Sequence, residues 1–549
     1  YSYSFSEALQ QEWRWTERYA SQPEILRYLQ HVAERFDLKR HFRFGTRVSQ
    51  AVYDKASALW NVQTDDGRSI DARFCVMATG VLSNSRIPDL PGLGDFSGPV
   101  LHTGQWPHQG VDFSGQSVAV IGTGSSAIQV IPKIAEQARS LTVFQRTPNF
   151  SLPAGNHPLS AEAVEKIKAH YQAYREEARH SRSGAHYEYA TRSIFAVPPE
   201  VSEAEFERRW QVGGANFMHA YTDIATDEAA NEIAARFVRR KIAQTVKDPE
   251  TARKLSPSTY PIETYNLDHV RLVDLNQEAL DRITPSGVRT AKTEYTVDTL
   301  VCATGFDAMT GALLSMEIKT TEGASLRDAW KDGPRNYLGL MVAGFPNLFT
   351  VTGPGSPSVI SNMAASIEQH VEWIVDCMAY LRDKNFSSIE ASTDAQDAWV
   401  DHVRQVADAT LYPRAASWYM GANIPGKPRV FLPYIGGVGV YRKKCDEIAA
   451  AGYRGFVLRS QVEAAACVKH WRPCRNWWRC PMTVCRACAL HWKACPPNWE
   501  QMSKVCECGA LRSPLPARLC SLHCCTSRHR VRQGLTLPCS MSMAVASWR

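Results

Sequence analysis

The chain has 549 residues, 44% of them apolar and 21% charged, the balance of an ordinary globular protein with length for two or three domains. No apolar run approaches the roughly 18–20 residues of a membrane span, and residues 1–10 have neither the basic start nor the apolar stretch of a secretion leader, so membrane and secreted classes are set aside and a cytoplasmic protein is expected. The formal net charge of +7 is local: residues 461–549 hold 13 Lys and Arg against 3 Asp and Glu, and the rest of the chain offers no basic excess to attract nucleic acid.

In chain order, Ser21-Gln22-Pro23-Glu24 carries a capping-box pattern, and Ile25, Leu26, Leu29, Val32, Ala33 and Phe36 follow at helical spacing, which predicts one amphipathic helix. Residues 47–53, 59–64 and 70–77 are short β-branched or aromatic runs, with Asp66-Gly67 as a tight turn between the last two, a small antiparallel excursion. The last run stops at Ala78-Thr79-Gly80, small residues that let a backbone come close to a ligand.

Ser117-Val118-Ala119-Val120-Ile121 then runs into Gly122-Thr123-Gly124-Ser125-Ser126-Ala127, followed by a helical run through Ile128, Val130, Ile131, Ile134 and Ala135, with Gln129 on the helix's first turns. Strand, glycine turn and helix stand in the order that dinucleotide binding needs. Gly122 permits the tight turn, Gly124 lets phosphate reach the backbone, Ala127 lets helix pack on strand, and N–H groups at the helix start receive the pyrophosphate. The next strand, 141–144, delivers Gln145-Arg146-Thr147 where NAD-binding versions place an acid for the ribose hydroxyls. A cation there indicates NADP, because Arg146 can form a charge-assisted fork with the 2′-phosphate and Thr147 can donate a hydroxyl.

Just upstream, Phe96-Ser97-Gly98-Pro99-Val100-Leu101-His102-Thr103-Gly104-Gln105-Trp106-Pro107 resembles the FxGxxxHxxxWP fingerprint of type I Baeyer–Villiger monooxygenases, with Phe96, Gly98, His102, Trp106 and Pro107 at the fingerprint positions. Flavin N- and S-oxygenating monooxygenases look similar here but end the pattern with Tyr or Phe, so Trp106 favours the Baeyer–Villiger branch. The resemblance extends to Val301-Cys302-Ala303-Thr304-Gly305-Phe306-Asp307, similar to the family's second inter-domain linker, and to Gly353-Pro354-Gly355-Ser356-Pro357-Ser358, which the family places near flavin. A helix is expected from Asn362-Met363, and the run 417–427 looks like the family loop whose Trp, here Trp418, closes over nicotinamide and substrate. Val48, Ala78, Gly80 and Met363 are the FAD-side residues implied.

The fold implied is α/β, with two Rossmann-like dinucleotide-binding domains and a helical insertion, the first domain incomplete. Residues 1–80 correspond to a partial FAD domain, 81–305 to the NADP-binding domain with its insertion at about 155–250, and 306–459 to the rest of the FAD domain. The activity implied is an FAD- and NADPH-dependent insertion of one oxygen atom of O2 beside a ketone carbonyl, through a C4a-peroxyflavin, giving an ester or lactone. No nucleic-acid, membrane or metal partner is implied, and the ketone and oligomeric state stay open.

Two departures from the family pattern bear on activity. The chain begins at Tyr1, past the family's first strand, its FAD phosphate loop and the acid that positions the catalytic Arg. Tyr260-Pro261-Ile262 is also joined directly to Glu263-Thr264-Tyr265-Asn266, where the resemblance places about a dozen further residues including that Arg and a Lys for the NADP phosphate. Weak FAD binding and lost turnover are therefore expected, and an inactive NADPH-binding fragment or pseudoenzyme is the alternative function. A flavin disulfide reductase would need a redox Cys pair, whereas Cys75, Cys302, Cys377 and Cys445 are far apart in sequence.

Residues 460–549 form a Cys-, Trp- and Arg-rich tail, expected to be disordered or non-native. Leu, Ile, Val and Phe supply only 13 of residues 461–549, too few for a core. Cys485 and Cys488 have the knuckle spacing of a zinc module, with Cys480, His491, Cys495, Cys506 and Cys508 nearby, but the spacing is irregular and two ligand pairs around a small apolar core are not visible, and Arg528, Arg530 and Arg532 read only weakly as a nucleic-acid arm.

Overall fold

Strands buried on both faces read as unbroken aliphatic runs rather than alternating ones, and five short strands build a parallel sheet of this kind at the centre of the fold. The computed structural model describes residues 2–148, 152–256, 265–415 and 417–460. In chain order the strands are β1 (Val100–His102), β2 (Ser117–Ile121), β3 (Ser140–Gln145), β4 (Val270–Asp274) and β5 (Thr299–Cys302), and their spatial order is β1-β5-β2-β3-β4. All four pairings are parallel. Val118, Val120, Leu141, Val143 and Val301 face one layer, where helix α1 (Ala127–Ala135) contributes Ile131 and Ile134 and the helical segments contribute Phe206 and Phe237. Ala119, Ile121, Phe144 and Cys302 face the other, against Ile283 and Val288 of a three-stranded antiparallel sheet. The strand between β1 and β2 in space comes late in the chain, so the elbow after β2 opens beside the end of β5.

The helices Ala161–Lys168, Tyr171–His180, Pro199–Val212 and Glu228–Thr245 fall within the stretch expected to be a helical insertion, and Pro249–Lys254 runs past its end. Helix Gln22–Arg35 is also where the apolar spacing predicts it, but its capping box does not form. Ser21 makes no side-chain cap, and the Glu24 carboxylate instead accepts from Thr16 N at 2.9 Å and Thr16 Oγ1 at 2.7 Å. A tertiary partner thus outcompetes the local cap.

The run 70–77 also departs from expectation. It divides at Arg73, whose guanidinium donates to the carbonyls of Phe386 and Ser387. Ser69–Ala72 closes an antiparallel set with Val48–Asp54 and Leu59–Thr64, to which Glu317–Thr320 adds a parallel fourth strand. Cys75–Met77 turns away to pair in parallel with Leu348–Thr350. Behind that pair, helix Met363–Asp383 starts where expected, with the Asn362 side chain accepting from Ala364 N at 3.1 Å. No described helix is long and apolar enough to cross a membrane. The zinc and nucleic-acid readings of the tail, and the junction at Ile262–Glu263, lie outside the described residues.

Helix Met363–Asp383 carries a fully buried His370. Its Nδ1 accepts from Thr352 N at 2.8 Å, so Nε2 carries the proton toward Tyr441 Oη at 3.0 Å, and that hydroxyl donates to Leu338 O at 2.6 Å. Thr352 sits at φ +52°, a left-handed geometry costly for a β-branched residue, and the His370 bond holds it there. Burial, with the charge of Arg442, depresses the His370 pKa to about 3. The unfolded chain takes up a proton near the ordinary histidine pKa that the folded site refuses until about pH 3, so stability falls as pH drops through that window. Lowering pH from 7 to 5 is expected to cost about 2 kcal/mol of unfolding free energy from this group. Urea titrations of wild type and His370→Asn at the two pH values check this, the variant losing that part of the slope.

Candidate functional site

The elbow after β2 is shaped by close backbone approach. Gly122 has φ +111°, and a Cβ there would lie 2.4 Å from Ala303 O, so only glycine fits between the ends of β2 and β5. Gly122 N donates to Phe144 O at 3.0 Å, and Ala303 N to Ile121 O at 2.9 Å. Gly124 differs: it is exposed and a Cβ would meet nothing within 4 Å. That open space lies at the start of α1, whose N-cap Ser126 makes no side-chain bond and whose first turn carries no acid. Ala127 is fully buried against the sheet. Ser125 is exposed, and Gln129 Nε2 donates to its carbonyl at 2.8 Å. Thr123 is buried, its hydroxyl 3.4 Å from Thr147 O. Arg146 and Thr147 stand exposed past the end of β3, beside the elbow, with Asn276 Nδ2 donating to Arg146 O at 2.6 Å. Among the described residues the Arg146 guanidinium has no carboxylate partner. A row of N–H groups, an open glycine and an unpaired guanidinium one strand away fit a dinucleotide carrying an extra phosphate.

The 96–107 run is built around a second centre. Phe96 is buried beside Ala119 and Phe144, and a Cβ on Gly98 would lie 2.2 Å from Asp298 O. His102 ends β1 and is 4% exposed. Its Nδ1 accepts from Gly104 N at 3.0 Å, which leaves the proton on Nε2 to donate to Arg86 O at 3.1 Å. Thr304 Oγ1 donates to the same oxygen at 2.8 Å. Burial outweighs these bonds and lowers the His102 pKa below the usual histidine value, in keeping with a neutral ring. Phe306 packs edge-on to His102 with centroids 6.1 Å apart, and a Cβ on Gly104 would lie 2.6 Å from the Phe306 ring. Trp106 packs on Phe113, 6.1 Å between centroids, against the sheet's core, and Pro107 opens the turn closed by Gly110 N. His102 therefore gathers two connecting stretches. Residues 81–86 and 305–309 run antiparallel through Arg86 N to Gly305 O at 3.1 Å, Asp307 N to Asn84 O at 2.8 Å and Met309 N to Val81 O at 2.8 Å.

Trp418 begins a 3-10 turn, Trp418–Met420, capped by the Ser417 hydroxyl. It is partly buried against the cluster of Ala308, Met309 and Leu432, on which Val81 and Leu82 of the other connection also pack. Leu432 N bonds Tyr419 O at 2.8 Å, and Gly355 N bonds Leu432 O at 2.7 Å, which sets the loop beside the 353–358 turn. Of the FAD-side candidates, Ala78 is buried past the end of Cys75–Met77, Gly80 has φ +75°, and Met363 opens its helix. Ala78 and Gly80 thus follow a strand that pairs in parallel with Leu348–Thr350. Val48 stands apart from these three in strand order, at the start of the antiparallel set. Sequence reasoning did not single out Arg86, which carries no periodic or motif signal, and its place at the centre is visible only in the fold.

Comparison with known proteins resolves which chemistry this frame serves. Residues 3–194 match a family model described as pyridine nucleotide-disulphide oxidoreductase. A Baeyer-Villiger monooxygenase of Pseudooceanicola batsensis is 40% identical over 476 residues, covering 84% of this chain and 87% of the relative. The chain belongs to the Baeyer–Villiger monooxygenase family. Cyclohexanone 1,2-monooxygenase of an Acinetobacter species is likewise 40% identical over 474 residues, covering 84% of this chain and 87% of that protein. Among solved structures, an oxidized steroid monooxygenase bound to NADP superposes with TM-score 0.80 at 46% identity, covering 84% of this chain and 89% of that one. Cyclohexanone monooxygenase from Rhodococcus sp. Phi1 bound to NADP+ gives 0.82 at 42% identity, covering 84% and 88%. The described cysteines suit a Baeyer–Villiger family member better than a disulfide reductase. All four are free, and burial pushes the thiols of Cys75, Cys377 and Cys445 up to about 12 and that of Cys302 to about 11, far from forming the thiolate that disulfide exchange needs.

The two elbow glycines separate packing from binding. Gly122→Ala is expected to destabilise the fold, its Cβ forced onto Ala303 O. Gly124→Val should leave the thermal midpoint within a few degrees yet weaken NADPH binding at least about tenfold by filling the phosphate space. Differential scanning fluorimetry with a parallel NADPH fluorescence titration checks both.

Proposed function

We propose that this Baeyer–Villiger family member uses NADPH, FAD and O2 to insert one oxygen atom beside a ketone carbonyl, giving an ester or lactone together with NADP+ and water. The observation that carries the reading is the convergence of fingerprint His102 and Thr304 on one carbonyl, that of Arg86, which joins the NADP-side sheet to the Trp418 loop. When bound, NADPH supplies a hydride, and FAD stores the electron pair and reacts with O2. The chain's own residues bind and orient. The N–H groups from Thr123 to Ala127 receive the pyrophosphate of NADPH, with Gly122 shaping the elbow and Gln129 bracing Ser125 at its mouth. Arg146 and Thr147 receive the 2′-phosphate. Ala78, Gly80 and Met363 border the FAD side, with Val48 at its margin, and Trp418 covers the substrate side and keeps water out, as oxygenation of a ketone in preference to wasteful reduction of O2 requires. A cytoplasmic location belongs to this reading and is supported by the four cysteines among the described residues, all free thiols, which a reducing compartment preserves.

A second reading, an NADPH-binding chain without oxygenation, is favoured by one observation. Tyr260-Pro261-Ile262 joins Glu263 with no Arg or Lys between them, and loss of one electrostatic donor at a reacting centre costs on the order of 10²–10³ in rate. One experiment separates the two. On the first reading the purified protein carries yellow flavin and, given NADPH and a cyclic ketone, takes up O2 and releases a lactone. NADPH binding with neither flavin nor O2 uptake selects the second reading, and an oxygenated amine or sulfide with no lactone selects N- or S-oxygenation. Under either of the first two readings Arg146→Asp should weaken NADPH binding roughly ten- to a hundredfold while sparing NADH, measured by fluorescence titration of both coenzymes.

A further inference from the structure

Arg86 is held at its backbone and reaches outward with its side chain. Its carbonyl accepts from His102 Nε2 and Thr304 Oγ1, and its N–H donates to Gly305 O, so its Cα is tied to the fingerprint and to the second connection at once. Its guanidinium donates to the carbonyl of Asn423, in the Trp418 loop. The same loop is fastened at two further points. Asn423 Nδ2 donates to Phe306 O at 2.8 Å. Lys427 Nζ reaches Asp307 Oδ1 at 2.7 Å and Ala308 O at 2.8 Å, with its side chain only 10% exposed. Residues 423–427 are thus latched to 306–308, while Trp418 packs on the buried cluster of Ala308, Met309 and Leu432, against which Val81 and Leu82 of Arg86's own segment also pack.

We propose that Arg86 is a positioning residue that locks the Trp418 loop to the paired connections, so that the orientation of the fingerprint His102 and the closure of Trp418 are coupled through one side chain. The consequence for the reaction rests on the reading that Trp418 covers the substrate; the latch itself does not. A cation at position 86 suits this task because a planar guanidinium meets a carbonyl with directed N–H groups at the end of a long reach, and a bond from a charged donor is worth more than a neutral one. Without Arg86 the loop keeps the Asn423 and Lys427 bonds to 306–308 but loses its described hydrogen bond to the 81–86 segment.

The test is hydrogen–deuterium exchange of the full chain, read by mass spectrometry without substrate, so that it reports on the latch whether or not the protein oxygenates ketones. In Arg86→Met, amides of residues 417–430 are expected to exchange about tenfold or more faster, with those of β2, β3 and α1 unchanged, as for a local opening. Arg86→Lys, which keeps a charged donor, should restore most of the protection, and Lys427→Met should open the same peptide. Unchanged exchange in 417–430 for Arg86→Met overturns the proposal. So does faster exchange spread equally over the central sheet, which would make Arg86 a general support of the fold. If Arg86→Met does not fold, Arg86→Gln is read by the same criteria. Absence of O2 uptake in the wild type, with the exchange result as expected, would refute the oxygenase reading and leave the latch standing.

Discussion

One carbonyl oxygen, that of Arg86, receives the imidazole N–H of His102 and the hydroxyl of Thr304, and the arrangement of the site follows from it. The two donors come from β1 and from the turn just after its neighbour β5, so the double bond forms only when the central sheet is in register. The acceptor belongs to the first connection, and the antiparallel pairing of 81–86 with 305–309 extends from that point. A neutral His102 is required, because its Nδ1 must accept from Gly104 while Nε2 donates; burial supplies that neutrality. The fingerprint in this Baeyer–Villiger family member therefore ties the connections at the sheet's edge. Its His ties connections together, and its Gly98 and Gly104 clear space for a neighbouring carbonyl and ring.

The glycine elbow was legible because its signal is local. Strand, Gly122, Gly124, Ala127 and helix lie within a few residues of one another, and in the structure a Cβ at Gly122 would meet Ala303 O, Gly124 is open and Ala127 is buried. Helix Gln22–Arg35 was legible from its apolar spacing, but its cap was not, because the competitor for Glu24 was Thr16, outside the helix. The split of 70–77 was hidden for a similar reason. Its two halves share one β-like composition, and what parts them is Arg73 bonding carbonyls more than 300 residues later in the chain. The parallel addition of Glu317–Thr320 to the small sheet is equally non-local.

The site was legible in part. His102 and Trp106 carried the family resemblance, yet their roles differ in a way that spacing alone does not reveal: the first is a hydrogen-bonding tie and the second a packing residue on Phe113. Arg86 and Lys427 were silent in the sequence because surface-type cations in loops are ordinary, and only three-dimensional proximity distinguishes a latch from a solvated charge. His370 was silent too, since a histidine in an apolar helix reads as core until its two ring nitrogens are each given a partner.

Most of the oxygens that hold the paired connections and the loop are main-chain ones, belonging to Arg86, Asn423, Phe306 and Ala308. An acceptor of that kind survives replacement of the residue that owns it. Side-chain changes at those acceptors leave the bonds in place, while loss of a donor, His102, Thr304, Arg86, Asn423 or Lys427, removes one. Homologues that vary the lining around the substrate while keeping those five would inherit the same articulation with a different appetite.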